Sequence, residues 1–449
     1  MEHKLKRSSR NFIQVCFSNE APRRLNLTAG RVFSRISNIE LNIKKFVKNS
    51  IQVLFGEQAP KKIRRTLNRI HFRISNISDY RKTVTLAEKP LDIIFLCDHL
   101  IRWPNIKLVI ESTIHRHPDL KIALVATHPK EHFKSVFDSF DVPIFYNIPL
   151  ERLDIFKSKV IYATYAGLSP VNVPPNMTMI YSHMTMASHD ALFDEPSFDA
   201  YDYILCSGTH HIDSFRALQN RRPSFGGKVL IPSGYPKLEY LMSQASTNAS
   251  AKRISQKAAF VYAPTHVYKE NERLASFGKY GEEIVDALMA TGQHLIFRPH
   301  PTSLVDEDCG VVDRILRKYS DDRNFTFDNS IDYIASYSSA DLMITDLSGT
   351  GFTFSFAFTR PTVFFAPFQD AEQGLSGIQF DGRHRIGALA RSIEEMISEI
   401  ARLQKTDLTQ QIVDFRNETL FNVGHSHEYI ADCVNDIVQG RSRSEWIQL

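Results

Sequence analysis

The sequence predicts an α/β protein built from two doubly wound, mostly parallel sheets of Rossmann type, preceded by a basic helical region. Three observations carry this. From Lys89 onward short apolar runs alternate with amphipathic stretches, as right-handed βαβ units require. The alternation lapses at Ser243 to Lys257, rich in Ser, Gln, Ala, Thr and Asn, and then resumes, which divides the chain into two halves. The charge is also lopsided. Residues 1–82 hold 19 Lys and Arg against 5 Asp and Glu, a balance of +14, whereas the remainder holds 35 against 45, a balance of −10.

In order, residues 1–88 are the basic region. Within it Lys61-Lys62-Ile63-Arg64-Arg65-Thr66-Leu67-Asn68-Arg69-Ile70 places Ile63, Leu67 and Ile70 at helical spacing among cations, the pattern of a helix that lies on acidic lipid. Ile43 to Lys48 has similar character. Arg35-Ile36-Ser37-Asn38-Ile39 and Arg73-Ile74-Ser75-Asn76-Ile77 echo each other as a short internal repeat. A solvated helical extension or a partner-binding tail is the plainer alternative. Nucleic acid ranks below both, because stacking aromatics are sparse and no nucleic-acid motif appears.

Residues 89–242 form the first half. Strands are expected at Leu91–Cys97, Lys121–Thr127, Ile144–Tyr146, Lys159–Ala163, Met177–Ser182, Tyr203–Cys206 and Lys228–Pro232. Helices are expected at Arg102–His117, with Ile106, Val109, Ile110 and Ile114 on one face, and at Phe133–Phe140. Residues 243–257 read as a linker. The second half, residues 258–385, repeats the pattern with strands Ala258–Tyr262, His294–Phe297, Phe325–Phe327, Leu342–Thr345 and Thr362–Phe365. Its helices fall at Tyr280–Met289, Asp313–Lys318 and between the last two strands. Residues 386–449 read as helical, with Ile393, Met396, Ile397, Ile400 and Leu403 in register. Two such halves form a cleft between the carboxyl ends of their sheets, an arrangement suited to a nucleotide-linked transferase.

Composition narrows the class. The chain has 449 residues, 43% hydrophobic and 23% charged, with ordinary Gly (19) and Pro (20), which excludes collagen-like and low-complexity chains. Its five cysteines (16, 97, 206, 309 and 433) include no C-x-x-C pair, which argues against a disulfide scaffold and a thiolate zinc site. No apolar run reaches the roughly 18 residues of a membrane-spanning helix, and no apolar segment follows the basic start. A soluble intracellular protein is expected. H-E-x-x-H, G-x-S-x-G and Walker A patterns are all missing.

Four strand ends could carry chemistry. Asp341-Leu342-Met343-Ile344-Thr345-Asp346-Leu347-Ser348-Gly349-Thr350-Gly351 runs from a buried strand into a helix. The amides at that helix start and the Ser348 and Thr350 hydroxyls would suit a phosphate, with Gly349 and Gly351 allowing close approach. Ordinary capping by Asp346 or Ser348 explains the same residues. Arg298-Pro299-His300-Pro301 presents a guanidinium and an imidazole from a stiffened turn, both able to hold phosphate. Tyr262-Ala263-Pro264-Thr265-His266 is a third polar turn on the same sheet. In the first half Ile180-Tyr181-Ser182-His183 delivers His183 to a strand end, as a general base or as a structural residue, with His189 and Asp190 close behind. His210-His211 opens a helix and reads as a cap.

Taken in order, these segments together with Tyr201-Asp202-Tyr203-Ile204, Gly234-Tyr235-Pro236 and Arg360-Pro361-Thr362-Val363-Phe364-Phe365 resemble the CDP-glycerol glycerophosphotransferase family of teichoic-acid primases and polymerases. The likeness covers roughly residues 89–435. It implies a GT-B fold, with the nucleotide donor on the second half and the acceptor on the first. It also implies peripheral attachment to the inner face of the cell membrane through the basic region. By the same likeness His183 is the base that deprotonates an acceptor hydroxyl. His300 contacts the donor phosphate with Arg298 beside it, and Thr265, Asp346, Ser348, Gly349 and Thr350 belong to the donor site. No cofactor is implied beyond the donor nucleotide itself.

The chain departs from the family pattern at Met184, where Gly is usual, and at His266-Val267, where an aromatic residue and Arg are usual. It departs again at Gly349 and Thr353, in place of Ser and Asp. Glycerol phosphate and ribitol phosphate both remain open as the transferred group, with a polysaccharide or lipid-linked acceptor and CMP as the leaving group. A nucleotide-sugar glycosyltransferase on the same scaffold is the alternative, and a non-catalytic scaffold of a polymer-assembly complex the third reading.

Overall fold

The computed structural model describes residues 89–170, 173–188, 195–248, 258–267, 274–304, 309–330, 333–372 and 377–449, all within one unit, Ala87–Leu449. The basic region 1–88 with its echoed pentapeptides, His189 and Asp190, and residues 249–257 of the expected linker lie outside the described residues.

The first sheet contains β1 (Leu91–Cys97), β2 (Ile122–Ala126), β3 (Ile144–Phe145), β4 (Ser158–Ala163), β5 (Thr178–Tyr181), β6 (Tyr203–Cys206) and β7 (Val229–Pro232), parallel, in the order β3-β2-β1-β4-β5-β6-β7. Helices α1 (Trp103–Arg116), α2 (Lys130–Phe137), α3 (Thr209–Arg221) and α4 (Pro236–Asn248) connect and cover it. In β1, Ile94 and Leu96 pack into one core while Ile93, Phe95 and Cys97 pack into the other. A sheet buried on both faces needs unbroken apolar runs, and that is why these strands were visible as such.

The second sheet is parallel throughout. It comprises β8 (Ala259–Tyr262), β9 (His294–Phe297), β10 (Phe325–Phe327), β11 (Leu342–Thr345), β12 (Thr362–Phe365) and β13 (Gly387–Ala390), in the order β10-β9-β8-β11-β12-β13. Helices α5 (Phe277–Ala290), α6 (Cys309–Tyr319), α7 (Ile334–Ser339), α8 (Gly349–Phe358), α9 (Ile393–Leu403), α10 (Thr409–Thr419) and α11 (Ser426–Val438) complete this part of the chain. Helix α8 is apolar on all sides and is correspondingly enclosed. Its Phe352 and Phe356 join Tyr235, Leu238 and Leu241 of the first half in one core, and its Phe354 packs with Val261, Ile296 and Met343 of the second sheet.

Three expectations are corrected. Residues 243–248 continue α4 instead of starting a linker. Gly387–Ala390, in the stretch expected to be helical, pairs with β12 as a sixth strand. The last residues are not helical either: β14 (Ile447–Gln448) runs antiparallel to β7, and α11 packs on the first half through Ile430, Cys433 and Val434. Small residues such as Gly387, Ala388 and Ala390 carry little strand signal of their own, so the neighbouring β12 decides their conformation. The described cysteines Cys97, Cys206 and Cys433 are buried free thiols. Among the described residues no helix is long and apolar enough to cross a membrane.

Candidate active site

In the second sheet the strand order reverses between β8 and β11, and ligands of open α/β sheets bind at the carboxyl ends flanking such a reversal. The turns that follow these two strands contain Thr265 and Asp346. The Asp346 carboxylate is 1% exposed and accepts from the Thr265 amide (2.9 Å), the Ser276 amide (2.9 Å) and the Ser276 hydroxyl (3.0 Å). Burial raises its pKa, with those hydrogen bonds opposing the rise. Asp346 is thus a brace that ties the turn after β8 to the start of α5 across the switch point.

The turn after β9 carries Arg298 and His300. Arg298 donates from Nη1 to Asp328 (2.6 Å) and from Nη2 to the Ser330 carbonyl (2.7 Å), and its guanidinium lies 5.4 Å from the Tyr333 ring centre. Burial, which would raise the Asp328 pKa, is outweighed by hydrogen bonds from Ser330 and Ser336 and by the Arg298 charge. The guanidinium therefore orders the edge of the crevice through groups of its own sheet. His300 differs. Its Nδ1 accepts from the Thr302 amide (3.2 Å), which leaves the proton on Nε2, and the residue is exposed. Desolvation of the ring, then the neighbouring His266 and Arg298 charges, push its pKa down to about 4. The His266 ring stacks parallel to it at 5.9 Å. A neutral imidazole with its proton on Nε2 is a donor suited to phosphate oxygen.

At the start of α8, Ser348 Oγ accepts from the Thr350 amide at 3.1 Å, so the capping alternative holds for that amide. The two glycines serve packing rather than an open phosphate approach. A Cβ on Gly351 would lie 2.8 Å from the Phe364 ring, and one on Gly349 would lie 2.5 Å from Thr185 Oγ1 and 3.1 Å from the Ala187 amide nitrogen. Gly349 is the point where the second half meets the loop that follows His183.

That loop is held from three sides. Tyr235 donates to the Met184 carbonyl (2.9 Å), Gly349 receives Thr185, and the Ser188 amide donates to Gln379 Oε1 (3.0 Å). His183 lies beneath it, 1% exposed, its ring stacked on Tyr235 at 4.9 Å and edge-on to His211 at 4.7 Å. Its Nδ1–H donates to the Leu205 carbonyl (3.1 Å), so the basic lone pair resides on Nε2. Burial pushes its pKa down to about 3. The expected cap is not found, since α3 has Gly208 at its N-cap and no side-chain capping bond; instead His211 Nδ1 accepts from the Ser207 amide (3.2 Å) and its Nε2 donates to the Ala187 carbonyl (3.2 Å), tying the same loop to β6.

The structure thus draws His183, Ser348, Gly349 and Thr350 toward one contact between the halves, and Thr265 and Asp346 into the brace behind it. Arg298 and His300 occupy the adjoining β9 turn. Sequence reasoning passed over Lys237, next to the quoted Gly234-Tyr235-Pro236. Burial pushes its ammonium down to about 8, and Nζ lies 5.5 Å from the Tyr333 ring whose other cationic neighbour is Arg298. It also passed over Ser276 and Asp328, which lie 70 and 30 residues from their partners and give no local signal. Among the described residues no group of three His, Cys, Asp or Glu side chains could hold a metal ion.

With this geometry in place the comparisons are direct. The wall teichoic acid polymerase TagF superposes with a TM-score of 0.56 at 16% identity, over 85% of this chain and 97% of its own. A UDP-N-acetylglucosamine 2-epimerase of Listeria monocytogenes, described as putative, gives 0.55 at 9% identity over 79% and 99%. The UDP-GlcNAc 2-epimerase of Neisseria meningitidis gives 0.52 at 11% identity over 77% and 100%. At such identities the likeness establishes a GT-B-like fold. No curated protein matches the sequence. The sequence pattern of one family does match, over residues 177–435, a span that holds His183, Arg298, His300 and the whole α8 turn. The chain belongs to the CDP-glycerol:poly(glycerophosphate) glycerophosphotransferase family and is a transferase of that kind.

Proposed function

We propose that the protein moves a polyol phosphate, glycerol phosphate or ribitol phosphate, from a CDP-activated donor to a hydroxyl of a cell-surface polysaccharide or lipid-linked acceptor. The observation that supports this best is the meeting of Gly349 with Thr185. It sets the loop after His183 against the start of the helix that follows the switch-point strand, so a base from one half adjoins the phosphate crevice of the other.

In this reading the acceptor oxygen attacks the β-phosphorus, its proton passes to His183 Nε2, and the bond to the α-phosphate oxygen breaks to release CMP. His300 donates from Nε2 to a donor phosphate oxygen, and Lys237 adds charge from the opposite half. Two phosphates in the crevice stabilise an imidazolium, which lifts His183 from its depressed resting pKa toward a useful base. Tyr235 and the 184–188 loop cover His183, so a hydroxyl can reach Nε2 only if that cover shifts. The +14 balance of residues 1–82 favours an anionic membrane surface as a further partner, at the inner face of the cell membrane.

Nucleotide release tests the proposal. Purified protein is given a crude polysaccharide acceptor with CDP-glycerol, CDP-ribitol, and CMP-, UDP- and GDP-sugars in turn. CMP from a CDP-polyol is the expected result. UDP or GDP instead would move the chemistry to an anomeric carbon.

A further inference from the structure

A cavity of about 600 Å³ opens at the amino ends of β1, β4 and β5, the end of the first sheet opposite to the one that delivers His183. It has the volume of a small-molecule site, roughly 300–1,000 Å³, and no residue of the proposed chemistry lines it. Resting on the membrane-surface reading above, we propose that this cavity receives the phosphate headgroup of one acidic phospholipid, as a second lipid contact beside the basic region.

Charge argues for an anion. Lys121, Lys157, Lys159, Asp92 and Asp154 are the charged residues of the lining. The Asp92 carboxylate is already engaged, since it pairs with Lys159 at 2.8 Å and accepts from the Lys121 amide at 3.0 Å. Asp154 pairs with Arg152 at 3.0 Å. Lys121 and Lys157 form no ion pair among the described residues, so their ammonium groups carry the uncompensated charge of the cavity. Both are anchored to β1, one on either side of it: the Lys121 carbonyl accepts from the Asp92 amide (2.9 Å) and the Lys157 carbonyl from the Leu91 amide (2.8 Å). Two ammonium groups rooted on strands that flank a third suit a phosphate, which lysine binds as a point charge.

Carbon surface and chain connectivity argue for a lipid over a soluble anion. Pro90, Phe156 and Met177 give the cavity apolar walls, which a glycerol backbone and its first methylenes can cover and a free phosphate cannot. Leu91, in the wall, lies nine residues beyond Lys82, where the +14 segment ends. At no more than about 3.5 Å per residue, the cavity stays within about 30 Å of any surface that Lys82 touches. A headgroup site tethered so closely to a polybasic segment meets a high effective concentration of lipid once that segment is bound.

The test uses the purified full chain and a short-chain phosphatidylglycerol bearing a diazirine, photolysed below its micellar concentration, with adducts located by peptide mass spectrometry. Labelling is expected on residues 154–159 and 174–177. Lys121→Glu combined with Lys157→Glu, both at exposed positions, should lower it at least about tenfold, as like-charge repulsion requires, with labelling of residues 1–82 and the circular-dichroism spectrum unchanged. Lys121→Gln combined with Lys157→Gln, which adds no repulsion, should lower it less and serves as the test where the reversed charges disturb folding. Labelling confined to residues 1–82, equal labelling by the zwitterionic choline analogue, or displacement by equimolar inorganic phosphate or CDP-glycerol overturns the assignment. Flotation with acidic vesicles is read in parallel. Cavity labelling in a protein that does not float would sink the membrane reading and leave the lipid site standing, whereas flotation without cavity labelling sinks this inference alone.

Discussion

The role proposed for His183 rests on the tautomer that a backbone carbonyl selects. The Leu205 carbonyl accepts from Nδ1–H, which leaves Nε2 as the basic nitrogen. His183→Ala should lower kcat by about 10²–10⁴, the usual worth of a general base, while calorimetry finds CDP-glycerol affinity intact. A normal rate in that variant would remove the role. The pH dependence has a definite sign. Because burial holds the resting pKa near 3, the imidazole stays neutral and competent as pH falls from 7 to 5, so the free enzyme should show no acid limb near the ordinary histidine value of about 6.5. Gly349 makes a second residue-scale case. A methyl there would enter the space of Thr185 and the Ala187 amide, so Gly349→Ala should push the loop off α8. Activity should drop at least about tenfold, as small misplacements cost, with the circular-dichroism spectrum unchanged. Full activity would mean that the contact has no part in catalysis. The positions of these residues at a strand end and a helix start were readable from the sequence, but the contacts that hold them were not. That Asp346 is a brace depends on Ser276, 70 residues away.

Among the elements, α11 takes its N-terminal support from a distant part of the chain. Its own cap residue, His425, makes no side-chain capping bond. The end is satisfied from α4, where Glu239, 7% exposed, accepts from the Ser426 amide (2.7 Å), the His427 amide (3.2 Å) and His427 Nδ1 (2.5 Å). A carboxylate at a helix N-terminus also meets the positive end of the dipole. Glu239→Ala leaves three donors without an acceptor and should cost about 3–5 kcal/mol in urea denaturation, whereas Glu239→Gln, which keeps one acceptor, should cost less. An unchanged midpoint in the Ala variant would show that the tail is held by packing alone. The Glu239 hydrogen bond raises the His427 pKa against the lowering effect of burial. Its share of stability is therefore complete below about pH 6.5 and is lost as pH rises through the raised value. This return of the tail to the first half escaped the sequence reading because a cap from 187 residues away leaves no trace in local pattern.

At the scale of the whole molecule, what was legible followed from periodicity. Strands buried on both faces must be apolar throughout, and the crossovers between parallel strands must be helices, so the two halves and the strand ends that carry chemistry could be placed. Closure of the chain onto itself, through β13, β14 and α11, depends on pairing partners and could not. Charge division is the remaining whole-molecule property with a consequence for where the enzyme works. The proposed membrane attachment predicts that the first 82 residues, at +14, draw the protein to an anionic surface, at about 1 kcal/mol per cation near the lipid, while the −10 remainder is repelled. Full-length protein should therefore float with vesicles containing acidic phospholipid at low salt and remain behind with neutral vesicles. Raising salt to about 0.5 M should release it, since exposed charges are then screened within a few ångströms. Removing residues 1–82 should abolish flotation without abolishing CMP release in solution. Binding that survives high salt would instead assign the attachment to the apolar faces around Ile63, Leu67 and Ile70, with the cations serving only to orient them.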